Sequence, residues 1–354
     1  MVNIGIRTDG SSDIGMGHIM RCLSLAKGFR NAGAGVFFLS RFEQGISRIR
    51  QDKFEVIEMQ CRKIGHSDGF FYGDVSELEE DAEEIICRIK EFNLDILVID
   101  SYNVSREFFL KLKPHIKKLC YIDDVNKFVY PVDVLINGNI TATTFNYTKY
   151  SNDEIMLLGL KYNLIRDEFK NLSERIINRD VREIMITTGG SDPFNLSLRL
   201  AGIILSEEEF KDIGINIVVG SGFTNVDSLR KLCKKNANVI LHENVSRMSE
   251  IMLKSDMAIS AGGSTLYELC ACGTPTLAIV IADNQREMVD MMSSEGYIIS
   301  LGWHGELADM ELLQKIKLLC ADYEKRVSLS KKMQKLVDGE GVRRIVEEII
   351  KITS

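Results

Sequence analysis

The sequence predicts an α/β protein of two doubly wound domains with a cleft between them, on three observations. Short β-branched apolar runs alternate with helical segments along the chain, the pattern of parallel strands joined by crossover helices. Two of those runs lead into glycine-rich turns that open helices, at residues 7–18 and 260–268. The length of 354 residues exceeds one compact core and suits two domains of roughly 100–200 residues each.

In chain order, residues 2–7 read as a buried strand, followed by the first glycine-rich turn and a helix over 18–32. Strands are expected at 36–40 and 54–59. Residues 74–84 carry seven acids in eleven positions, and the helical pattern runs on to Phe92, so this stretch reads as a solvated helix face. DILVID (95–100) is a buried parallel strand, polar only at its ends. Residues 120–123, 134–137 and 155–159 complete the first series. The polar, weakly periodic residues 170–182 mark the boundary between domains. A second series follows, with strands at 183–187, 215–219, 239–241, 257–260 and 276–281 and a helix at 195–205. The expected organisation is 1–172 and 173–338, with 339–354 a helix able to pack back on the first domain. Ligand sites in such folds lie at the carboxyl ends of the strands.

Composition excludes several function classes. Lys plus Arg total 44 against 51 Asp plus Glu, a net charge of −7. An acidic chain without a basic run lacks the charge that nucleic-acid binding requires. No apolar run approaches the ~20 residues that cross a bilayer. The start, MVNIGIRTDG, has no signal-peptide stretch, so a cytoplasmic location is expected. The eight cysteines are scattered and read as reduced packing residues. The five histidines, at 18, 66, 115, 242 and 304, show no metal-ligand spacing. Neither a metal nor a cofactor is expected, and the oligomeric state is open.

Each glycine-rich turn carries candidate site residues. In the first, Gly15 and Gly17 let the backbone approach a ligand, and the helix start offers amides and positive dipole to an anion. Met20 stands where a dinucleotide fingerprint wants a third Gly or Ala. The dipole disfavours a cation at His18, so a neutral imidazole able to act as general base is expected, with a loop-packing histidine as the alternative. In the second turn, Gly263, Ser264 and Thr265 are placed to hold a diphosphate. Glu268, one turn into the helix, suits a ribose diol, which wants two acceptor oxygens. Asn284 and Gln285 follow a strand's carboxyl end, where a turn role competes with ligand contact.

These motifs resemble one family over nearly the whole chain. RTDGSSDIGMGHIMRCLSLA, Asp123-Asp124, LLGLKYNLIRDEF, TTGGSDPFN, SAGGSTLYELCACGTP, ADNQ and DGEGVRRI are similar to the UDP-2,4-diacetamido-2,4,6-trideoxy-β-L-altropyranose hydrolases of the pseudaminic acid pathway. That family shares a frame with spore-coat polysaccharide proteins and the peptidoglycan glycosyltransferase. The resemblance implies two Rossmann-like domains in a GT-B-like arrangement. It implies metal-independent hydrolysis of a UDP-sugar at the anomeric carbon with inversion, releasing UDP and free sugar. His18 then matches the catalytic base, Asn284 the amide contact and Glu268 the ribose carboxylate, with the uracil slot at 244–248, Met248 included. Asp9, Asp13 and Asp100 are candidates to orient groups or to meet sugar hydroxyls, and Tyr102 to meet the acetamido groups; turn, cap and packing roles compete. The rival readings are a UDP-sugar glycosyltransferase of the same fold and a nucleotide-sugar binding protein without catalysis.

Overall fold

A computed structural model describes residues 2–11, 14–60 and 75–353, so the candidate Asp13, together with Cys61, His66 and Asp74, lies outside the described residues. The chain divides into two compact units, one formed by Met1–Arg166 with Glu340–Ser354, the other by Asp167–Gly339.

The first unit holds seven strands: β1 (Asn3–Thr8), β2 (Gly35–Ser40), β3 (Glu55–Glu58), β4 (Ile96–Asp100), β5 (Lys118–Ile122), β6 (Val134–Asn137) and β7 (Ile155–Leu158). They form one sheet in the order β3-β2-β1-β4-β5-β6-β7, and every pairing is parallel. Strand order reverses between β1 and β4, where Thr8 pairs with Asp100 in register. The crevice for a ligand in an open parallel sheet lies at such a reversal, outside the carboxyl ends of the strands.

Alternation along the strands divides the core between two faces. Ile4, Ile6 and Val98 pack with Cys22, Leu25 and Phe29 of helix Gly17–Asn31 and with Ile345 and Ile349 of helix Gly341–Lys351. On the other face Leu39, Leu97 and Ile99 meet Ala82 and Ile85 of helix Val75–Glu91 and Phe109 of helix Arg106–Leu112. The carboxyl-terminal helix thus belongs to the first core. Its approach depends on Gly28, where a Cβ would stand 2.6 Å from Val342 Cγ1.

The acidic stretch is mostly the solvated face expected of it, with Glu79, Glu80 and Glu83 exposed, but Asp81 departs from that reading. It is 4% exposed and pairs with Arg7 (3.5 Å) and with Arg41. An inward carboxylate on an otherwise charged face needs such partners, because an unpaired buried charge is costly. Arg7 also pairs with Asp9 at 2.7 Å, tying β1, β2 and helix Val75–Glu91 together.

The second unit holds β8 (Glu183–Thr187), β9 (Gly214–Val219), β10 (Val239–Glu243), β11 (Met257–Ala261), β12 (Thr276–Val280) and β13 (Ile299–Trp303). The order β10-β9-β8-β11-β12-β13 is again all parallel, with its reversal between β8 and β11. Strand β13 has no continuous apolar run to mark it in the sequence. It is an edge strand, half-buried at four of five positions, with Gly302 at φ +93° and a register shift opposite Ala278 and Ile279. Fully buried Arg326 closes the unit, its guanidinium donating to the carbonyls of Leu319, Cys320, Asn178 and Arg179.

Ile345 is fully buried between helix and sheet, so Ile345→Ala should cost about 2–5 kcal/mol through lost burial and the cavity left behind. Urea unfolding monitored on the first unit measures it; a loss below about 0.5 kcal/mol would show that the helix contributes little to this core.

Candidate functional site

In the first unit the site grows from the β1–β4 reversal. Helix Gly17–Asn31 starts at the end of the glycine-rich turn, which Gly15 closes at φ +78° with its amide donating to the Ser11 carbonyl at 2.9 Å. A Cβ at Gly15 or Gly17 would meet nothing within 4 Å, so the backbone there borders open space. The Met16 side chain makes no capping hydrogen bond to the first turn of this helix.

One turn of helix then places His18 and Arg21 on the same face. Both converge on Asp100, the last residue of β4. His18 Nδ1 lies 2.6 Å from Asp100 Oδ1, Arg21 Nη2 donates to the same oxygen at 2.6 Å, and Arg21 Nε donates to Oδ2 at 2.7 Å. The buried thiol of Cys22 adds a contact to Oδ2 at 3.2 Å. Asp100 is 1% exposed. Burial alone would raise its carboxyl, but the Arg21 charge, the hydrogen bonds from Arg21 and His18, and the charge His18 carries when protonated outweigh that and hold it far below the usual carboxylate range. An ionised carboxylate can only accept, which assigns the ring proton to Nδ1 and the lone pair of the neutral imidazole to Nε2. His18 thus has a carboxylate on its Nδ1 in addition to the helix dipole beneath it.

Arg21 also reaches Asp124, beyond the end of β5, with Nη1 3.0 Å from Oδ1 and 2.7 Å from Oδ2. Tyr102 donates its hydroxyl to Asp124 Oδ2 at 2.8 Å and stands edge-on to the His18 ring at 4.7 Å. Burial and the Asp124 charge push the Tyr102 phenol well up, so it stays a donor. The adjacent acids Asp123 and Asp124 take opposite roles. Asp123 accepts from the amides of Val125 and Asn126 and from the hydroxyls of Tyr130 and Tyr147, a turn-forming set. Asp9 pairs with Arg7 and accepts from the Arg41 amide at 2.9 Å, which makes it an anchor of the strand ends.

The second unit presents its own site at the β8–β11 reversal. Beyond β11, Gly263 has open space where a Cβ would be, and Ser264 is exposed with no capping hydrogen bond from its side chain. Thr265 and half-buried Glu268 lie in the first turn of helix Thr265–Cys272. Beyond β8, Gly189 adopts φ +91°. At Gly220, one of the two glycines that follow the 215–219 strand, a Cβ would stand 2.4 Å from the carbonyl oxygens of both Gly189 and Gly190. Only a bare backbone allows those turns to meet. Asn284 is exposed in the turn Asp283–Gln285. Gln285 spends its Oε1 on the Ile281 amide at 3.0 Å and stands against Gly262, buttressing the glycine turn. A cavity of about 500 Å³ is lined by residues 244–247 together with Glu250, Ile251 and Lys254, whereas Met248, half-buried at the start of helix Met248–Lys254, does not line it.

The structure therefore joins His18 to Asp100 and brings Gly263, Ser264, Thr265 and Glu268 together. It also adds Arg21, Asp124, Gly220 and Asn139, whose Nδ2 donates to Asp124 Oδ1 at 2.6 Å. The i, i+3 spacing of His18 and Arg21 was a signal in the sequence; the link to Asp124 and Asn139 needed the strand order. Among the described residues no group of three or more His, Cys, Asp or Glu side chains is arranged to hold a metal ion. No described helix is long and apolar enough to cross a membrane.

The depressed Asp100 carboxyl carries a stability consequence. A native value below the unfolded one contributes stability that is complete above about pH 4–5 and lost as pH falls through the native value. Asp100→Asn should then destabilise the protein by about 3 kcal/mol at pH 7, with the gap to wild type narrowing below about pH 4. Denaturant titrations across pH check this; a gap that does not change with pH would contradict it.

Residues 184–343 match the model of the glycosyltransferase family 28 C-terminal domain. The chain is 30% identical to an uncharacterized protein of Methanocaldococcus jannaschii over 82% of its own length, and spans 58% of that relative. It is 25% identical to the spore coat polysaccharide biosynthesis protein SpsG of Bacillus subtilis, over 97% of the chain and 96% of the relative. It is 28% identical to the UDP-2,4-diacetamido-2,4,6-trideoxy-β-L-altropyranose hydrolase of Campylobacter jejuni, over 82% of the chain and 96% of that enzyme. Among solved structures, MurG of Acinetobacter baumannii superposes with a TM-score of 0.69 at 13% identity, covering 99% of this chain and 100% of that one, a likeness of fold. Motifs, domain match and relatives agree: the chain is similar in sequence to the UDP-2,4-diacetamido-2,4,6-trideoxy-β-L-altropyranose hydrolase and to SpsG, and it shares its fold with MurG.

Proposed function

We propose that this protein hydrolyses a UDP-linked 2,4-diacetamido-2,4,6-trideoxy sugar at its anomeric carbon, in the cytoplasm and on the route to pseudaminic acid. The observation that carries the reading is the His18–Asp100 pair at the first sheet's strand reversal, 2.6 Å apart. Asp100 fixes the imidazole so that Nε2 carries the lone pair, and its charge stabilises the imidazolium that forms, the part a buried aspartate plays beside a catalytic histidine.

In this mechanism His18 Nε2 takes a proton from water as the water oxygen attacks the anomeric carbon. The bond from that carbon to the diphosphate oxygen breaks, its electron pair leaves with UDP, and the configuration inverts. UDP is a good leaving group, so no second carboxyl is needed to protonate it, unlike in ordinary glycosidases. Amides of Gly263, Ser264 and Thr265 at a helix start suit the diphosphate and its developing charge. Helix-start amides can meet that charge without a cation, so turnover without metal is proposed. Glu268 takes the ribose hydroxyls, Asn284 and Gln285 contribute from the turn beyond β12, and the uracil lies along residues 244–248, with Met248 at its end. In the amino-terminal loop, Gly15 and Gly17 give the sugar room. A glycosyltransferase of this fold would need an acceptor in place of water. Incubation with UDP-sugar alone, in excess chelator, tests the reading: UDP and free sugar should appear. Release only on adding an acceptor, or only with magnesium or manganese, would overturn it.

His18→Asn should lower kcat by about 10²–10⁴-fold, the usual contribution of a general base. UDP affinity should barely move, because the diphosphate amides belong to the other unit. Near-normal turnover in the folded variant would remove His18 from the chemistry. For Glu268→Ala, KM should rise much more than kcat falls, as uniform binding requires. Steady-state kinetics separate the cases; an unchanged KM would make Glu268 a helix-start residue only.

A further inference from the structure

The Asp124 carboxylate is largely taken up by donors within the protein. It accepts from Arg21 Nη1 on both oxygens, at 3.0 and 2.7 Å, from Tyr102 on Oδ2 at 2.8 Å and from Asn139 Nδ2 on Oδ1 at 2.6 Å. Three donors thus make four contacts to its two oxygens, close to the capacity of a carboxylate. A side chain so occupied makes a poor sugar-hydroxyl partner, and its value lies in its charge and in the hold it keeps on Arg21.

That hold matters because Arg21 spans two carboxylates. Its Nε and Nη2 face Asp100 while Nη1 faces Asp124. With a neutral imidazole, Asp100, Arg21 and Asp124 sum to one negative charge; an imidazolium at His18 brings the sum to zero. Among the described residues, the other groups facing His18 are the Tyr102 phenol and, on Asp100, the Cys22 thiol, both pushed up by burial and so uncharged. Asp9 is taken up by Arg7 and the Arg41 amide. Without the Asp124 charge, Arg21 would bear wholly on Asp100 and its cation would oppose a proton on His18.

We propose that Asp124 is a positioning residue that sets, through Arg21, how readily His18 holds a proton. The proposal rests on the reading of His18 as the base, and its test keeps the two apart. The His18 imidazole is titrated by NMR in the UDP-free protein, beside kcat against pH, for wild type, Asp124→Asn, Arg21→Gln and the double variant. Removing the negative charge should lower the His18 midpoint by roughly one pH unit, and removing the positive charge should raise it by a similar amount. The double variant, with the net charge restored, should return towards wild type.

In each protein the acid limb of kcat should move with the NMR midpoint. A folded Asp124→Asn protein titrating like wild type would overturn the proposal, as would single shifts of the same sign. If Asp124→Asn does not fold, the double variant should titrate below Arg21→Gln; equal midpoints there would equally overturn it. Midpoints that shift while the kcat limbs stay still would sustain the coupling and discard His18 as the base.

Discussion

The buried carboxylate of Asp100 is the constraint around which the first unit's site is organised. A charge that is 1% exposed is tolerable only if its lone pairs are filled, and the donors that fill them come from helix Gly17–Asn31. The same contacts therefore stabilise the ion, orient the imidazole and fix the turn of helix beyond the glycine-rich loop. Structure and chemistry share one requirement, since a loosened Asp100 would cost the fold an unpaired charge and the site its orientation.

Strand order explains why the group assembles where it does. In both units the strands run parallel and their order reverses once, so two glycine-rich turns diverge from neighbouring strand ends and leave a crevice. The first unit fills that position with ionisable side chains. The second keeps it nearly bare, with Gly189, Gly190 and Gly263 facing open space. Backbone amides suit a diphosphate whose charge does not change sign during the reaction, whereas moving a proton needs a titratable group. One topology thus supports two kinds of chemistry by what stands at its strand ends.

Most strands were legible because a parallel strand covered on both faces is a short apolar run with sharp ends, as in DILVID. Edge strand β13 lacked that signature, since half-burial and Gly302 remove the continuous run. The acidic helix was read correctly as to its solvated residues and wrongly at Asp81, whose partners Arg7 and Arg41 lie 74 and 40 positions earlier. Periodicity reports which face a residue occupies; it does not report which charge waits on the other side.

By itself the sequence determined the α/β class, the two series of strands, the two glycine-rich turns, and His18 and Glu268 as the residues to watch. Those features are local: a strand, a turn and a helix start are written in consecutive residues, and each sets its own backbone. Tertiary structure alone decided that Asp100, 82 residues from His18, holds its ring; that of two adjacent acids Asp124 faces Arg21 while Asp123 closes a turn; and that Gly220 must be bare for two distant turns to touch. Charge pairing and close approach depend on strand order and register, and a single chain of letters does not state which strand ends become neighbours.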